Sequence, residues 1–524
     1  MVDGIPRFVG VWTHPLLDTV SIDLADHIDI YKSAQPVLFG NMSFGAVNIV
    51  PKRTQREGFQ ARYQGSFGEY NTLVQKGEFS GRKDRWDFFL TGSYRRSDGH
   101  REKADGRVVQ LYGNLGVALN EAWSLTTHIS HSDGWANDPG QVGVSPPPRN
   151  ERYETNDQFY LVKLSHAYGK WQGSFKFYYE NGLGDWFQWD RDVDEPFQSV
   201  TNYDNYGFRF REQYLPWERG EILFGYDNDT YGGDFVERWQ SDDRLQTDLS
   251  FRSSAPYVMY SHVFGDDLKI TPSAGVRFNN SRFFGNNWGP QAGLKLEWKR
   301  SQVHVNYAHG FNLPGVWSAI FYDDWGRGDQ WKDLRAEKLD HYEIGLIHSF
   351  SKQFQAGISF FYDDVKDALR FVPPPPPPPL FANLGDYKTT GGEINLEAMP
   401  LDTLILYLGG NYMNTNPSNV PYAPRWTWVT GASLRMGRHW RLNFDSEWVD
   451  KQHVLNPRFP GPGATIDAYF LLNGRLGCQV NHRIGIFVAG ENLTDSLYEF
   501  RPGYPMPGRI WMVGLDLGGS FKWN

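Results

Sequence analysis

The sequence predicts an all-β membrane protein, a transmembrane antiparallel β-barrel of about 22 strands. Segments of roughly ten residues alternate apolar and polar side chains from about residue 59 onward, and the connections between them are alternately very short and long. Phe, Trp and Tyr make up 16% of the 524 residues. Trp440, Leu442, Phe444 and Trp448 fall on one face of such a segment and Arg441, Asn443, Asp445 and Glu447 on the other, because successive side chains of a strand point to opposite sides. One such segment fits any half-buried sheet, so the repetition and the regular gaps select the barrel. The aromatic excess has a use there, in girdles at the two membrane interfaces.

In chain order, period-two runs predict strands near 59–68, 72–82, 85–95, 108–119, 122–132, 156–168 and 171–180. They continue at 203–214, 220–230, 255–264, 268–279, 291–300, 302–308, 339–350 and 353–364, and finish at 388–399, 402–414, 425–437, 440–449, 467–478, 482–490 and 509–521. Val303, Val305 and Tyr307 alternate with Gln302, His304 and Asn306, and Ile394, Leu396 and Ala398 with Glu393, Asn395 and Glu397. The polar set lines the lumen. A barrel of this strand number is too wide to be filled by its own side chains, so it requires a plug.

Tight connections at Lys83-Asp84, Asn120-Glu121, Gly169-Lys170, Gly265-Asp266-Asp267, Ser351-Lys352, Pro400-Leu401 and Arg438-His439 alternate with long ones. The long ones lie around 133–155, 181–202, 231–254, 309–338, 365–387, 450–466 and 491–508. Short turns on the periplasmic rim and long loops outside are the outer-membrane arrangement, and an even strand count puts both barrel ends on the short rim. A propeller would show a four-strand unit with a period near forty, and none is present. Pro373 to Pro379 lies in one long loop and predicts a stiff polyproline II spacer.

Mean hydropathy is −0.55, and no apolar run approaches the roughly eighteen residues of a membrane helix. That excludes a helical membrane protein but not a barrel, whose lumenal residues dilute hydropathy. A net charge of −9 argues against nucleic acid as a partner. The single cysteine, Cys478, leaves no disulfide framework and no cysteine metal cluster. No nucleophile, base and orienter set, no H-E-x-x-H and no phosphate-cradling glycine loop occurs, so neither an enzyme nor a cofactor is expected. The N-terminus carries no basic segment followed by an apolar core; for an exported chain this implies a leader removed, or a start inside a longer chain.

Before the ladder, Val2-Asp3-Gly4-Ile5-Pro6, Ile28-Asp29-Ile30-Tyr31-Lys32 and the run Val37 to Lys52 do not alternate cleanly. Here the chain resembles the TonB-dependent outer-membrane receptors, whose plug has V-D-G-hydrophobic-P, I-E-V-x-K-G-P, L-Y-G and G-G-x-I-N-I-x-x-K. The resemblance continues through Gly310-Phe311-Asn312-Leu313-Pro314, through Glu337 to Leu346 with Tyr342-Glu343, and through Asn383-Leu384-Gly385 and Gly392-Glu393-Ile394. It ends with Asn492-Leu493-Thr494-Asp495, Tyr498 and Pro507-Gly508-Arg509. Six fragments in family order cover almost the whole chain. Ser33-Ala34 departs from the usual Gly-Pro, Ala46 replaces the second glycine of a pair, and Lys522-Trp523-Asn524 extend past the usual terminal aromatic. The resemblance implies a bacterial outer-membrane location. It divides the chain into 1–55, the C-terminal part of a plug domain with short buried strands, and 56–524, the receptor barrel. The start of the plug and the segment that couples to the TonB–ExbB–ExbD energy complex would precede Met1.

The resemblance also implies ligand binding between the plug apex and the inner walls of the long loops. On that basis Arg7, Trp12 and His14 are the apex candidates. His131 and Trp135 open one loop, Trp186 and Trp189 sit in the next, and Tyr322, Trp325 and Trp331 occupy the longest. Aromatic loops beside carboxylates and histidines suit a bulky metal chelate, although packing and girdle roles compete at every one of these positions. His128 and His131, three apart in a strand, face opposite ways and cannot share a metal. The leading expectation is active uptake of a ferric siderophore or other metal chelate, with outer-membrane lipid and lipopolysaccharide as surroundings. Receptors for cobalamin, heme or other metal complexes, a passive or gated channel, and a secreted carbohydrate-binding protein are the alternatives.

Overall fold

In the computed structural model, 22 strands close into one antiparallel barrel. The structure describes residues 1–7, 19–41, 44–143, 150–189, 197–239, 242–324, 326–372, 380–454 and 464–521. The first barrel strand, Gly58–Gly68, pairs with the last, Ile510–Phe521, Phe59 standing opposite Phe521 and Phe67 opposite Val513. Closure leaves no row of unpaired amides facing lipid, where such groups have no water to bond.

Every predicted segment is a barrel strand, and Trp440–Val449 has the predicted bounds. The differences lie at the extracellular ends. Asn150–Tyr168, Trp171–Trp189, Phe197–Tyr214, Gly220–Trp239 and Asp242–His262 run for 18 to 21 residues, so one side of the barrel stands as a tall wall. The long loop expected at 231–254 is therefore mostly strand, with Gly232 opposite Ser250 and Asp234 opposite Asp248. Above the membrane the outer face meets water instead of lipid. Apolar alternation stops there, while backbone pairing does not.

Leu111, Ile129, Val162, Phe177, Val258 and Ile344 are exposed on the outer face, as lipid contact requires. Across the tall wall Tyr160, Tyr179 and Tyr206 stand side by side in register, and Tyr168, Trp171 and Tyr214 form a second row nearer the short turns. Tyr160 and Tyr168 are eight positions apart on one strand, about 26 Å at roughly 3.3 Å per residue. With strands tilted about 35–45°, that is about 20 Å of membrane height, most of an apolar band about 25 Å tall between two girdles.

The N-terminal segment packs against the inner wall. Val2 and Ile5 close a tight turn by mutual backbone hydrogen bonds of 2.9 Å, with Asp3 and Gly4 at positive φ. Strands Ala25–Tyr31 and Ala46–Pro51 pair antiparallel, and a one-turn helix, Pro36–Phe39, starts on a proline whose missing N–H would have no helical partner. Val2, Ile5, Leu24 and Ile49 pack with Phe89, Tyr112, Phe159, Leu161 and Tyr178 of the wall, and Val37 packs with Leu223 and Tyr257. The two strands were expected to be buried. Ile49 and Ala46 are, but Ile28, Ile30 and Val47 are exposed: Ile28 stands opposite Ile49 and Ile30 opposite Val47 on one face, and of these only Ile49 joins the cluster of Val2, Ile5 and Leu24.

Tyr203 crosses Gly182 of the neighbouring strand and donates 2.8 Å to Asp157 Oδ2. A Cβ at Gly182 would overlap the Tyr203 hydroxyl and lie 2.8 Å from the Asn156 carbonyl oxygen. Gly182→Val should therefore expel the ring and lower the unfolding free energy of the detergent-solubilised barrel by more than the about 1.5–3 kcal/mol of a hydrogen bond to a charged group, because the ring's packing is lost as well. Tyr203→Phe, which keeps the ring in place, should cost less. Urea titration followed by gel mobility measures both, and an unchanged Gly182→Val midpoint would refute the assignment.

Candidate functional site

The turn at Val2–Ile5 drives Asp3 into the inner wall. Its carboxylate accepts from Lys163 Nζ at 3.1 Å and from Lys176 Nζ at 3.2 Å, and His128 Nε2 lies 3.9 Å away. Burial alone would raise the Asp3 pKa, but Lys176 and Lys163 outweigh it and hold the carboxyl at about 2. Arg7 donates to Asp157 Oδ1 at 2.5 Å and Glu180 Oε1 at 2.6 Å, with its side chain 4% exposed, and its guanidinium lies 4.6 Å from the centroid of Phe159. Burial opposes its charge, yet Asp157 and Glu180 raise its pKa above the normal arginine value. Asn205 Nδ2 fills the second oxygen of Glu180 at 2.9 Å.

Beside this floor lies a second buried charge cluster. Arg209 sits 2.8 Å from Asp229 and 3.5 Å from Asp227, Arg277 reaches Asp227 at 2.6 Å and the Val37 carbonyl at 3.4 Å, and Tyr178 donates 2.5 Å to Asp229. Further along the segment, Asp23 meets Arg95 and Lys76, Lys52 meets Glu78 at 2.9 Å, Arg53 meets Asp87 at 2.5 Å and Lys32 meets Glu393 at 2.7 Å. The buried pairs of Arg7, Arg209 and Arg277 add little net stability over apolar packing, but removing one partner is costly, whereas the Lys32 side chain is exposed. They fix where the segment sits on the wall.

Over the mouth, the long connection after Ser301–Asn312 forms two short helices, Val316–Asp324 and Gly328–Asp333. Val316, Ala319, Ile320, Tyr322, Trp331 and Leu334 join Tyr231, Phe235 and Phe251 of the tall wall in one apolar cluster. Trp331 stacks on Phe251 at 5.5 Å, and Tyr322 Oη donates 2.9 Å to the carbonyl of Phe381 in the hairpin Leu369–Val372 with Leu380–Asn383. The helices and hairpin form a lid tied to the wall by apolar contact. The proline run Pro373 to Pro379 lies outside the described residues.

The candidate residues separate accordingly. Arg7 is at the floor, held by two carboxylates. Trp186 faces the lumen near the rim, where its Nε1 donates 3.2 Å to Glu151 Oε2. Tyr322 and Trp331 are buried in the lid cluster, so they hold the lid instead of facing a solute. His131 and Trp135 do not open a loop: they lie in strand Trp123–Asp138 with the outward parity of Ile129, and Trp135 stacks under Arg152 at 4.3 Å. The strand continues beyond the membrane, which keeps both outside the lumen. Trp12, His14 and Trp325, and the side chain of Trp189, lie outside the described residues. Among the described residues no group of three His, Cys, Asp or Glu side chains is set to hold a metal ion. The wall partners Asp157, Lys163, Lys176, Glu180, Arg209, Asp227, Asp229 and Arg277 were not singled out from sequence. Their one signal is charge of both signs at lumenal positions of neighbouring strands.

A family model described as TonB dependent receptor-like, beta-barrel, matches residues 45–493. An iron-regulated outer membrane virulence protein of Vibrio cholerae serotype O1 is 21% identical over 571 aligned positions, which cover 98% of this chain and 82% of that protein. Among solved structures, the copper transporter OprC has a TM-score of 0.83 at 13% identity, covering 99% of this chain and 90% of that one. The ferric enterobactin receptor PfeA has 0.78 at 14%, covering 99% and 91%. The FrpB iron transporter from Neisseria meningitidis has 0.76 at 11%, covering 95% and 88%.

Replacing Arg7 with Met should leave Asp157 and Glu180 without their cation and cost the segment about 3–5 kcal/mol of local stability. Hydrogen exchange at the amides of Val2 and Ile5 would then speed by a hundredfold or more, and no change would refute the anchor. The depressed pKa of Asp3 gives a stabilisation fully present above about pH 4 and lost as pH falls through about 2. Asp3→Asn should accordingly speed exchange of the same amides at pH 7, with the difference from the unmodified chain vanishing near pH 2 after correction for intrinsic rates.

Proposed function

The chain belongs to the TonB-dependent receptor family, outer-membrane barrels and not enzymes, and from that premise we propose that it takes up a scarce, bulky metal chelate, foremost a ferric siderophore. The observation that carries this reading is the lid of two helices and a hairpin held on the tall wall by an aromatic cluster. A wide mouth with an aromatic cover suits a ligand too large for a simple pore. The names of the relatives, iron-regulated, ferric enterobactin receptor and iron transporter, support a metal chelate, and the copper transporter among them keeps other metal complexes in the panel.

In this reading residues 1–55 act as the closing part of a plug and 56–524 as the receptor barrel. The solute binds under the lid, the lid closes, and force from a TonB–ExbB–ExbD type complex moves the segment off its wall. Asp3 and Arg7 set the resistance to that movement, because separating each from its wall partners exposes unpaired charge in a confined lumen. Lipopolysaccharide surrounds the outer half of the wall.

Uptake of radiolabelled ferric catecholate, hydroxamate and heme complexes and of copper chelates, by cells lacking their own receptors, tests the reading. Saturable uptake of one chelate that disappears without TonB is expected. Uptake independent of TonB, together with steady conductance in a planar bilayer, would instead make the protein a passive channel. Trp331→Ala should loosen the lid by removing a buried ring, a change of about 3–5 kcal/mol in well-packed sites. The expected result is at least tenfold weaker chelate binding with an unchanged barrel melting temperature; unchanged binding would remove the lid from the mechanism.

A further inference from the structure

On the lipid-facing side of the tall wall, near the short turns, one glutamate–histidine pair sits where apolar residues are the rule. Trp123, His166, Gly173, Glu212 and Phe224 stand in one row across five strands, each directly opposite the next. They share the outward parity of exposed Tyr160, Phe175 and Phe177. Gly173 has no side chain, so the Glu212 carboxylate lies flat over it and reaches His166 Nε2 at 2.9 Å with Oε1. A Cβ at Gly173 would overlap that carboxylate. Glu212 is 9% exposed, and its second oxygen, Oε2, is buried without a hydrogen-bond partner among the described residues.

Aromatic rings surround the pair. Trp123 lies tilted against His166 at 4.7 Å, Trp171 stacks on Tyr214 at 4.3 Å in the next same-face row below the carboxylate, and Phe224 meets Trp171 edge-on at 6.3 Å and Phe210 at 6.3 Å. Trp171 is 42% exposed, so its indole is the side of the box that faces the lipid. A carboxylate oxygen in an aromatic box asks for a cation, since ring faces attract positive charge and a buried unpaired acceptor is costly. An oxygen acceptor further asks for an N–H donor, which a quaternary ammonium lacks. The row lies one same-face step, two residues, from Tyr168, Trp171 and Tyr214 toward the membrane centre, just inside the aromatic girdle on the short-turn side and next to the phospholipid headgroups of the periplasmic leaflet.

We propose that this box binds the primary ammonium of a phosphatidylethanolamine-class headgroup, with Glu212 Oε2 accepting its N–H and Trp171, Tyr214 and Phe224 facing the charge. His166 is a positioning residue that holds the carboxylate across Gly173. The site is separate from the lumen and independent of the transported solute.

The test uses the full chain, delipidated in detergent and titrated with diheptanoyl phosphatidylethanolamine, phosphatidylcholine or phosphatidylglycerol under native mass spectrometry. Phosphatidylethanolamine should be retained at concentrations at least tenfold lower than the other two. Glu212→Gln should abolish the preference, and so should Gly173→Ala, which keeps the charge but displaces the carboxylate and, because the clash falls on a flexible side chain, leaves the barrel folded by gel mobility. Should Glu212→Gln not fold, Gly173→Ala alone decides. Equal retention of phosphatidylcholine would show that ring faces suffice and overturn the donor requirement. A preference that survives Gly173→Ala, or equal binding of all three lipids, would overturn the site.

Discussion

Closure of the sheet is the constraint on which the rest of this structure depends. Backbone groups in hydrocarbon must find partners within the protein, and pairing Gly58–Gly68 with Ile510–Phe521 removes the last free edge. A closed sheet of 22 strands then has an inside too wide for its own side chains to fill. The lumen must be polar enough to hold water and must still seat a folded segment. Charge at inward positions meets both demands, and the ion pairs of Asp3 and Arg7 with the wall follow from it.

Alternation also protects the register of the wall. Because side chains repeat every two residues, a slip of one position would carry Lys176, Glu180 and Arg209 from lumen to lipid and bring Phe175, Phe177 and Phe208 inward. The cost of placing such charges in lipid is high, so the inner pairs specify the pairing even where they contribute little to net stability. This explains how five long neighbouring strands keep a continuous register, with one shift recorded, between Glu237 and Arg238.

The barrel was legible because lipid on one side and water on the other write period two into each strand. Trp440–Val449 and its neighbours could be bounded closely for that reason. Beyond the membrane that contrast ends, and the extensions to Asp138, Trp189 and Trp239 read as loops. His131 and Trp135 were misassigned by the same mechanism: an aromatic or histidine in a loop is a ligand candidate, but on an extended strand its parity decides which side it faces. Arg7 was found through its place between plug motifs. Its partners Asp157 and Glu180 were not, because pairing across 150 and 173 residues of chain is set by the closure of the wall and leaves no local mark. Tyr322 and Trp331 were found as loop aromatics, yet sequence alone does not distinguish a ring that meets a solute from one that anchors a lid.

The same wall carries charge on both faces, and the two faces handle it differently. Inside, Glu180 has Arg7 and Asn205 on its two oxygens, because water and a folded segment are available to supply donors. Outside, Glu212 has one protein partner, His166, and a ring of aromatics. A lipid-facing strand gains nothing in packing from a glutamate over a leucine, and it incurs the cost of desolvating a carboxylate. Gly173 is a further concession, since a strand glycine weakens the sheet unless something must lie close above it. The glycine, the carboxylate and the imidazole make sense together only if the carboxylate is needed at that depth. In a membrane interface, the chemistry that repays a carboxylate is a cation supplied by the lipid itself.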